Sequence, residues 1–464
     1  MPGELVIAYW SWGGRMPSTE EIDLARSLTG AREVFVLAGQ IDRTDELKLI
    51  REPKGNPPAN TPVHLVYNAT PSLLQSLEDI DPKHLGNFIA AAYSDSVQGE
   101  TSPIIGLQLD LDFPTRLLPR YAELLRHVRA ALPPSTKLSI TGLPTWMSSG
   151  DLGLVLGEVD FWAPQFYGDT VPQYIGSLTP ISSTAEVRRG VAAARRLGKP
   201  FYAGLSVYGM ALHYSKSGAL IEIRGNIAPE SALGSGGLKL VKSGSFGEDG
   251  DGAERFYKFA AVFQTVIEGL SIEEGEHLVF IQPSIGSLRR SVAAVREEGG
   301  ENLLGICLFR LRLHGDATTL SPLEVAAAVE NKETTFGLAS SLKRLEGHRG
   351  LLTISNSGNA ASLVGEGAFV LDIPVNDQGV AGIVSYEGFG SVEPICRETK
   401  RTSPCSVRRA NVFRLKANRW RPGSQAVVEV NFGPEATGRE LMALATLRSD
   451  DGRVIVETVQ FVSK

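Results

Sequence analysis

The sequence predicts an α/β protein made of a (β/α)8 TIM barrel, an insertion after strand 7 of that barrel, and a C-terminal all-β sandwich domain. Three observations lead to this prediction. Short apolar runs alternate with amphipathic helical stretches, which is typical of parallel βα units, and about eight such units close a barrel. The alternation is interrupted once, within residues 209–283. From about residue 337, strand-like runs recur without a strong helical pattern between them.

The barrel strands are predicted from short apolar runs rich in β-branched and aromatic residues. In chain order they cover 5–12, 33–39, 63–68, 104–112, 137–142, 159–167, 200–207 and 303–311. The helices between and after them are predicted at 18–27, 82–94, 118–132, 184–197, 287–298 and 322–330. The first of these begins at Ser18, a residue type favoured at helix N-termini, and carries acidic residues in its first turn.

The remaining elements lie in the insertion and the C-terminal region. In the insertion, Gly- and Ser-rich turns surround short β-like runs at 220–224, 238–241 and 277–282, and one helix is predicted at 254–270. The sandwich is predicted from runs at 351–355, 368–374, 412–415, 426–432, 441–447 and 454–461. We therefore expect a barrel domain over 1–335, which includes the insertion, and an accessory domain over 336–464.

Composition excludes several classes of protein. The chain has 464 residues, of which 42% are hydrophobic, as is typical of a folded protein. Its net charge of −6 at pH 7 argues against binding to nucleic acid, because a surface that binds nucleic acid is positively charged. No apolar run reaches the length of a membrane-spanning helix. No signal-like segment precedes the first strand. The protein is therefore either cytoplasmic or has lost a leader, in which case a periplasmic, lipoprotein or secreted location is favoured. The sequence leaves the oligomeric state open.

The three cysteines and one acidic run are candidates for a disulfide or a metal site. Cys307 lies in an apolar run and is predicted to be a buried hydrophobic residue, whereas Cys396 and Cys405 flank a basic loop and are either bridged or free. The spacing of Cys and His residues fits no metal site, so neither a metal nor a cofactor is expected. The acidic run 248–252 lacks the full ligand series of a calcium loop and is predicted to be a solvated turn.

The fourth strand carries the strongest chemical signal. Side chains alternate along a strand, so Gln108, Asp110 and Asp112 share one face, and the intervening leucines share the other. In a barrel the polar face points inward, and active sites lie at the C-terminal ends of the strands. Two carboxylates about 7 Å apart supply one proton donor and one charge stabiliser, as glycoside hydrolysis requires. The alternative is that both carboxylates bind loop amides or an arginine at the barrel mouth.

Further candidates lie at the same ends of other strands. Gln165 and Tyr167 share a face of strand six and are predicted to contact a substrate. Arg310 either binds an anionic group or pairs with Asp112. Aromatic residues at a barrel mouth suit stacking on sugars, although they also simply pack in a core. These aromatic candidates are Tyr9, Trp10, Trp12 and Trp146.

Three segments resemble an uncharacterised bacterial family, domain-of-unknown-function family 3142. They are 106–116, the tyrosine-containing helix 121–132, and 137–147, with weaker agreement at 159–160 and 200–208. The resemblance covers roughly residues 5–315. It implies a TIM-barrel fold rather than a particular activity.

The plan is also similar, more remotely, to the chitinase-like glycoside hydrolase family 18. That resemblance places Gln108, Asp110 and Asp112 in the family's D-x-D-x-E pattern, and Phe309 at its strand-eight tryptophan. It implies that Asp112 is the general acid and that Asp110 orients the reacting groups. The chain departs from the pattern because Asp replaces the catalytic Glu and Gln replaces the first Asp.

Two kinds of function therefore remain open. The first is a glycoside hydrolase in which Asp110, Asp112 and Tyr167 carry the chemistry and a carbohydrate is the substrate. The second is a catalytically degenerate protein, either one that binds glycans without turnover or an envelope scaffold. In the scaffold, Arg310 would seal both carboxylates, whereas the other two functions require an open groove over them.

Overall fold

The computed structural model describes residues 5–50, 53–98, 100, 102–168, 170–246, 254–316, 318–359, 361–375, 379–398, 401–433, 440–449 and 453–462. The chain divides into two compact units. The first consists of Met1–Gly209 and Ile281–Glu330, and the second of Met210–Phe280 and Asn331–Lys464. Among the described residues, every helix is too short or too polar to span a bilayer.

The first unit contains a closed barrel of eight parallel strands within its described residues. In chain order these are β1 (Val6–Ser11), β2 (Glu33–Arg43), β3 (Val63–Ala69), β4 (Ile104–Asp110), β5 (Lys137–Gly142), β6 (Phe161–Pro164), β7 (Phe201–Ser206) and β8 (Leu303–Phe309). Each strand pairs with the next, and β8 also pairs with β1, which closes the barrel. The strand Leu47–Ile50 extends β2 as an antiparallel partner. The predicted TIM barrel is confirmed.

Helices follow the strands where the sequence has capping residues. Ser18, Ser284 and Ser321 each accept a hydrogen bond from a backbone N–H in the first turn of the following helix. The α-helices of this unit are Thr19–Thr29, Pro71–Gln75, Pro82–Val97, Leu118–Ala131, Leu152–Gly157, Thr184–Arg196, Ile285–Glu298 and Pro322–Val329. Short 3₁₀ turns lie at Thr115–Leu117 and Pro144–Ser148.

Successive side chains of each barrel strand point alternately outward to the helices and inward to the barrel, which gives two separate apolar layers. On β4, Leu107 and Leu109 belong to the large core between strands and helices, while Gln108 and Asp110 point into the barrel. The barrel interior is a separate cluster formed by Ala8, Trp10, Phe35, Val66, Phe161, Ala163, Tyr202 and Cys307. The inside of the barrel is therefore packed, and a ligand can only approach its ends.

The insertion after β7 is largely β-structure. Its strands are Met210–Tyr214, Leu220–Arg224, Leu238–Ser245, Arg255–Ala261, Thr265–Ile267, Leu270–Ile272 and His277–Gln282, with one short helix at Pro229–Gly234. The predicted helix over 254–270 is wrong. Tyr257, Phe259 and Ala261 are buried at every second position, and Glu268 and Gly269 have the positive φ angles of a tight hairpin turn. The acidic run 248–252 lies outside the described residues.

The C-terminal region forms two antiparallel sheets around a common core, as predicted. One contains Leu338–Arg344, Arg349–Asn356, Gln425–Phe432 and Val380–Glu387. The other contains Arg401–Pro404, Ser391–Glu398, Val412–Ala417, Phe369–Pro374, Glu440–Arg448 and Val454–Val462. Side chains of both sheets, such as Val428 and Leu415, belong to one core. A 3₁₀ turn lies at Val407–Arg409, and Cys396 and Cys405 form a disulfide.

Within the second unit, the insertion contacts the C-terminal region. Glu230 of the short helix pairs with Arg419 and Arg421, and the Tyr257 hydroxyl accepts a hydrogen bond from the Val364 amide. Burial by itself would raise the pKa of the Glu230 carboxyl, but the charges of Arg419 and Arg421 outweigh it, so the pKa lies below its ordinary value. The predicted bounds placed the insertion with the barrel, whereas the compact unit joins it to the sandwich.

Candidate active site

The buried carboxylate at the C-terminal end of β4 is held by donors from three neighbouring strands or their ends. Asn68 Nδ2 of β3 donates to Asp110 at 2.7 Å, and Thr141 Oγ1 of β5 donates at 2.6 Å. Gln165 Nε2, just beyond β6, completes the set at 3.4 Å. Asn68 is itself fixed, because its Oδ1 accepts a hydrogen bond from Gln40. The Asp110 carboxylate therefore has a defined orientation at the barrel mouth.

Opposing effects act on the ionisation of Asp110. Burial raises its pKa above the ordinary value, whereas the hydrogen bonds from Thr141, Asn68 and Gln165 act in the opposite direction. Because the N–H and O–H groups of these three residues donate to the carboxylate, they favour its charged form and oppose the effect of burial.

Asp112 lies beyond the strand, in a different environment from Asp110. β4 ends at Asp110, so the expectation that Asp112 continues the strand face is corrected: its side chain is exposed. Within the described part of the chain, no hydrogen bond or ion pair reaches its carboxylate. Although the residue reaches solvent, the protein around its carboxyl partly excludes water, and this partial desolvation together with the nearby charge of Asp110 raises the pKa of Asp112 to about 7.

Four aromatic side chains meet beside the carboxylates and form what we call the aromatic rim. Tyr167 stacks on Phe309 with ring centroids 5.8 Å apart, and Tyr208 contacts the same ring at 5.3 Å. Trp12 approaches Phe309 at 5.8 Å. All four are half-buried, so each presents part of a ring to solvent. Burial, Tyr208 and Asp110 together raise the pKa of the Tyr167 hydroxyl well above its usual range, so this hydroxyl stays protonated and can donate.

Four predicted substrate contacts lie inside the protein instead. Gln108 is fully buried and accepts a hydrogen bond from Trp10 Nε1 at 2.7 Å. Trp146 is 1% exposed. Tyr9 faces the helix layer, because it alternates with Trp10 along β1. None of these side chains presents a surface on which a sugar could stack, so they act through packing and buried hydrogen bonds.

Arg310 is engaged by its own loop. Its Nε and Nη2 donate to Asp316 Oδ2 at 3.1 and 3.0 Å, and the same carboxylate accepts a hydrogen bond from the Thr319 hydroxyl. The sequence leaves an anionic group and Asp112 open as partners of Arg310, and the ion pair is instead made with Asp316. A partner six residues away is reached more easily because both groups lie in the loop after β8.

Thr141 and Tyr208 belong to the site but were not predicted. Each had a signal in the sequence: Thr141 is the penultimate residue of β5, and Tyr208 follows β7 by two residues. The rule that barrel sites lie at the C-terminal strand ends selects both positions. By residue type alone they carry no functional signal, because Thr141 is a small hydroxyl residue and Tyr208 is one of 11 tyrosines.

A cavity of about 540 Å³ adjoins the rim at Tyr167 and Gly168. It extends towards the helix Thr184–Arg196, and we call it the side cavity. Its lining is mixed, with apolar side chains, several hydroxyls, one acidic residue and one basic residue. The lining residues are Pro144, Met147, Ser148, Phe166, Tyr167, Gly168, Thr170, Thr179, Pro180, Ile181, Ser183, Glu186, Arg189, Gly190 and Ala193. Among the described residues, no group of three or more His, Cys, Asp or Glu side chains could hold a metal ion.

The raised pKa of Asp112 predicts a pH dependence of stability. In the unfolded chain Asp112 ionises near its ordinary pKa of 3.8, but in the folded protein it retains its proton up to about pH 7. The unfolded state therefore binds fewer protons between these values, and stability falls as pH rises through that window. We expect the melting temperature of Asp112→Asn, measured relative to the wild type, to increase from about pH 5 to about pH 8. A difference that does not vary with pH would show that the carboxyl is not perturbed.

Comparison with known proteins gives one family match and several structural similarities. Residues 76–233 match the family model described as "Domain of unknown function (DUF3142)", which confirms the resemblance over the segments around β4 and β5. No curated protein sequence matches the chain.

Among solved structures, the chain is similar to the spore cortex-lytic enzyme SleL from Bacillus cereus, with 16% identity and a TM-score of 0.44 over 71% of this chain and 74% of that chain. It is also similar to a chitinase from Chromobacterium violaceum ATCC 12472, with 13% identity and a TM-score of 0.45 over 71% and 99% of the two chains. A chitinase from Bacteroides thetaiotaomicron has 10% identity and a TM-score of 0.43 over 71% and 97%.

Proposed function

We propose that this protein is a glycoside hydrolase whose active site lies at the C-terminal end of the barrel. The observation that carries the proposal is the asymmetry of the two carboxyls. Asp110 is fixed by three donors, whereas Asp112 has a pKa of about 7 and no hydrogen-bond partner among the described residues. Two carboxyls whose environments differ in this way are suited to separate roles as charge stabiliser and proton donor.

In the proposed reaction, Asp112 donates its proton to the glycosidic oxygen as the bond to the anomeric carbon breaks. Positive charge then develops on the sugar ring, and the Asp110 carboxylate stabilises it. Water adds its oxygen to the anomeric carbon and releases a proton, which restores Asp112. Gln165 and Tyr167 would hold the sugar, because an amide and a protonated phenol are both hydrogen-bond donors at this point of the mouth.

The surroundings of the carboxyls support a neutral, carbohydrate-like substrate. The aromatic rim offers the partly exposed ring faces and edges on which sugars pack. The chain has a net charge of −6 and therefore offers no general attraction for a polyanion. The side cavity, which begins at Tyr167, would take a part of the glycan that extends away from the cleaved bond.

The disulfide supports a proposal about the cellular location. Cys396 and Cys405 are bonded, and disulfides persist mainly in oxidising compartments. We therefore place the protein outside the cytoplasm, as a periplasmic, lipoprotein or secreted form. Retention of the bond in protein purified from cells without added oxidant, measured by intact mass with and without a reductant, tests this assignment.

A second function, glycan binding without turnover, is favoured by one observation. The aromatic rim provides ring surface that does not depend on the carboxyls, so it would retain sugars even if the shorter aspartate failed as an acid. A screen of neutral and N-acetylated oligosaccharides, read by both product release and calorimetric binding, separates the two functions. Product release supports the hydrolase, and binding alone supports the second function. If the protein neither releases product nor binds any of these oligosaccharides, the proposal of a carbohydrate ligand is overturned.

The side cavity leads to a prediction about binding. Ala193→Trp places a large ring among the lining residues and should weaken binding of a long oligosaccharide by about tenfold or more, because the same space would be filled. Ala185→Trp is the matched control, since Ala185 is exposed on the same helix and does not line the cavity. Equal affinities of the two variants in isothermal titration would remove the cavity from the binding site.

A further inference from the structure

We propose that Phe113, Tyr121 and Trp146 form an aromatic clamp that holds Asp112 at the barrel mouth, so that Tyr121 and Trp146 are positioning residues. This inference rests on the proposed role of Asp112 as proton donor. It assigns a function to Trp146, which does not present a ring to a ligand, and to a tyrosine on the helix Leu118–Ala131.

The first step of the argument is the turn that carries Asp112. The flanking residues Leu111 and Phe113 are 0% and 2% exposed, while Asp112 itself is exposed. The Phe113 amide donates to the Leu111 carbonyl at 2.6 Å, which folds the chain into a three-residue turn with Asp112 at its centre. Two buried side chains therefore anchor one exposed carboxyl, and its position depends on how firmly they are held.

The second step is what holds Phe113. Its ring stacks on Tyr121 with centroids 4.3 Å apart and an angle of 6° between the planes. Trp146 packs edge-on against Tyr121, and its Nε1 donates to the Phe113 carbonyl at 2.9 Å. The clamp thus grips both the side chain and the backbone of the residue after Asp112. All three rings are buried, so rotation of any one of them would leave a void.

The third step concerns the consequence for Asp112. The charged group that acts on it electrostatically is Asp110, and the two carboxyls in turn help to raise the pKa of the Tyr121 and Tyr167 hydroxyls, which stay neutral. A turn released from the clamp would move the carboxyl away from Asp110 and towards water. Both changes favour the ionised form and misplace the proton relative to the glycosidic oxygen.

The experiment compares two buried tryptophans. Trp146→Phe removes the hydrogen bond to Phe113 and part of the ring contact, whereas Trp162→Phe removes the same atoms from a fully buried tryptophan whose Nε1 has no partner among the described residues. We expect the Asp112 pKa, followed by carboxyl ¹³C NMR titration, to fall by about one unit or more in Trp146→Phe. In Trp162→Phe it should stay at the wild-type value.

Hydrolysis gives a second readout. Trp146→Phe should lower kcat by about 10- to 100-fold with little change in KM, because the proton donor and not the bound sugar is displaced. An unchanged Asp112 pKa in folded Trp146→Phe would overturn the clamp. The titration needs no substrate, so it tests the clamp even if the wild-type protein hydrolyses nothing.

A second pair of variants covers the case in which Trp146→Phe does not fold. Tyr121→Leu removes the stacked ring, and Tyr121→Phe keeps it while removing only the hydroxyl. The clamp predicts a lowered Asp112 pKa in Tyr121→Leu and a value close to the wild type in Tyr121→Phe. Equal pKa values in these two variants would contradict the stacking role.

Discussion

Asp112→Asn is expected to reduce the rate of glycan hydrolysis by about 10²- to 10⁴-fold while leaving glycan binding in place, because an amide has no proton to donate to the leaving oxygen. The variant keeps the size of the side chain and its exposed position on the turn after β4. The loss should appear in kcat, measured by the release of reducing ends, and much less in KM.

Two comparisons make the assignment of Asp112 specific. Asp95→Asn changes an exposed carboxyl on the helix Pro82–Val97 and should leave hydrolysis unchanged. An aryl glycoside with an acidic leaving group needs little protonation, so the Asp112→Asn defect should be much smaller on that substrate. If Asp112→Asn hydrolyses unactivated glycans at the wild-type rate, Asp112 is not the acid.

Gly305→Ala should destabilise the barrel by about 1–3 kcal/mol, because the added Cβ has no space. Gly305 lies on β8 opposite Val6 of β1, at the pairing that closes the barrel. A Cβ at this position would lie 2.1 Å from the Val6 carbonyl oxygen, so the two strands would have to separate. The same two strands lead to Trp12 and Phe309, so the change should also disturb the aromatic rim.

The matched control for this prediction is Gly153→Ala. Gly153 lies in the helix Leu152–Gly157, and a Cβ there would have no heavy atom within 4 Å. Replacing glycine by alanine inside a helix should raise stability by about 0.5–1 kcal/mol. Urea unfolding of both variants measures the difference. If the Gly305→Ala protein is as stable as the wild type, the prediction is wrong, and β1 and β8 can separate enough to accommodate the added Cβ without loss of stability.

Local sequence patterns were sufficient to predict most of the strands and helices of the barrel. The alternation on β4, with leucines outward and Gln108 and Asp110 inward, is a property of any strand, and it holds in the structure. The order of helices and strands followed from capping serines and apolar runs in the same way. The segment 254–270 failed because its closely spaced apolar residues also fit a helical period, and the turn at Glu268 and Gly269 that separates two strands was missed.

The environment of each site residue depended on contacts that local patterns do not contain. Trp10 and Gln108 are 98 positions apart and bind each other inside the barrel, so neither is available to a ligand. Trp146 reaches the Phe113 carbonyl across 33 positions and is buried there. The sequence places aromatic residues near the barrel mouth, but which of them keep an exposed face depends on how the loops from different strands pack.

The barrel, the inward direction of Asp110 and the approximate place of the candidate site can be predicted from the amino-acid sequence, because they follow from short-range periodicity and from the geometry of parallel strands. The turn that carries Asp112 beyond the strand, and the three donors Asn68, Thr141 and Gln165 around Asp110, become visible in the folded chain alone. Burial and hydrogen bonding are set by side chains brought together from distant parts of the chain, and they give the two carboxyls their different properties.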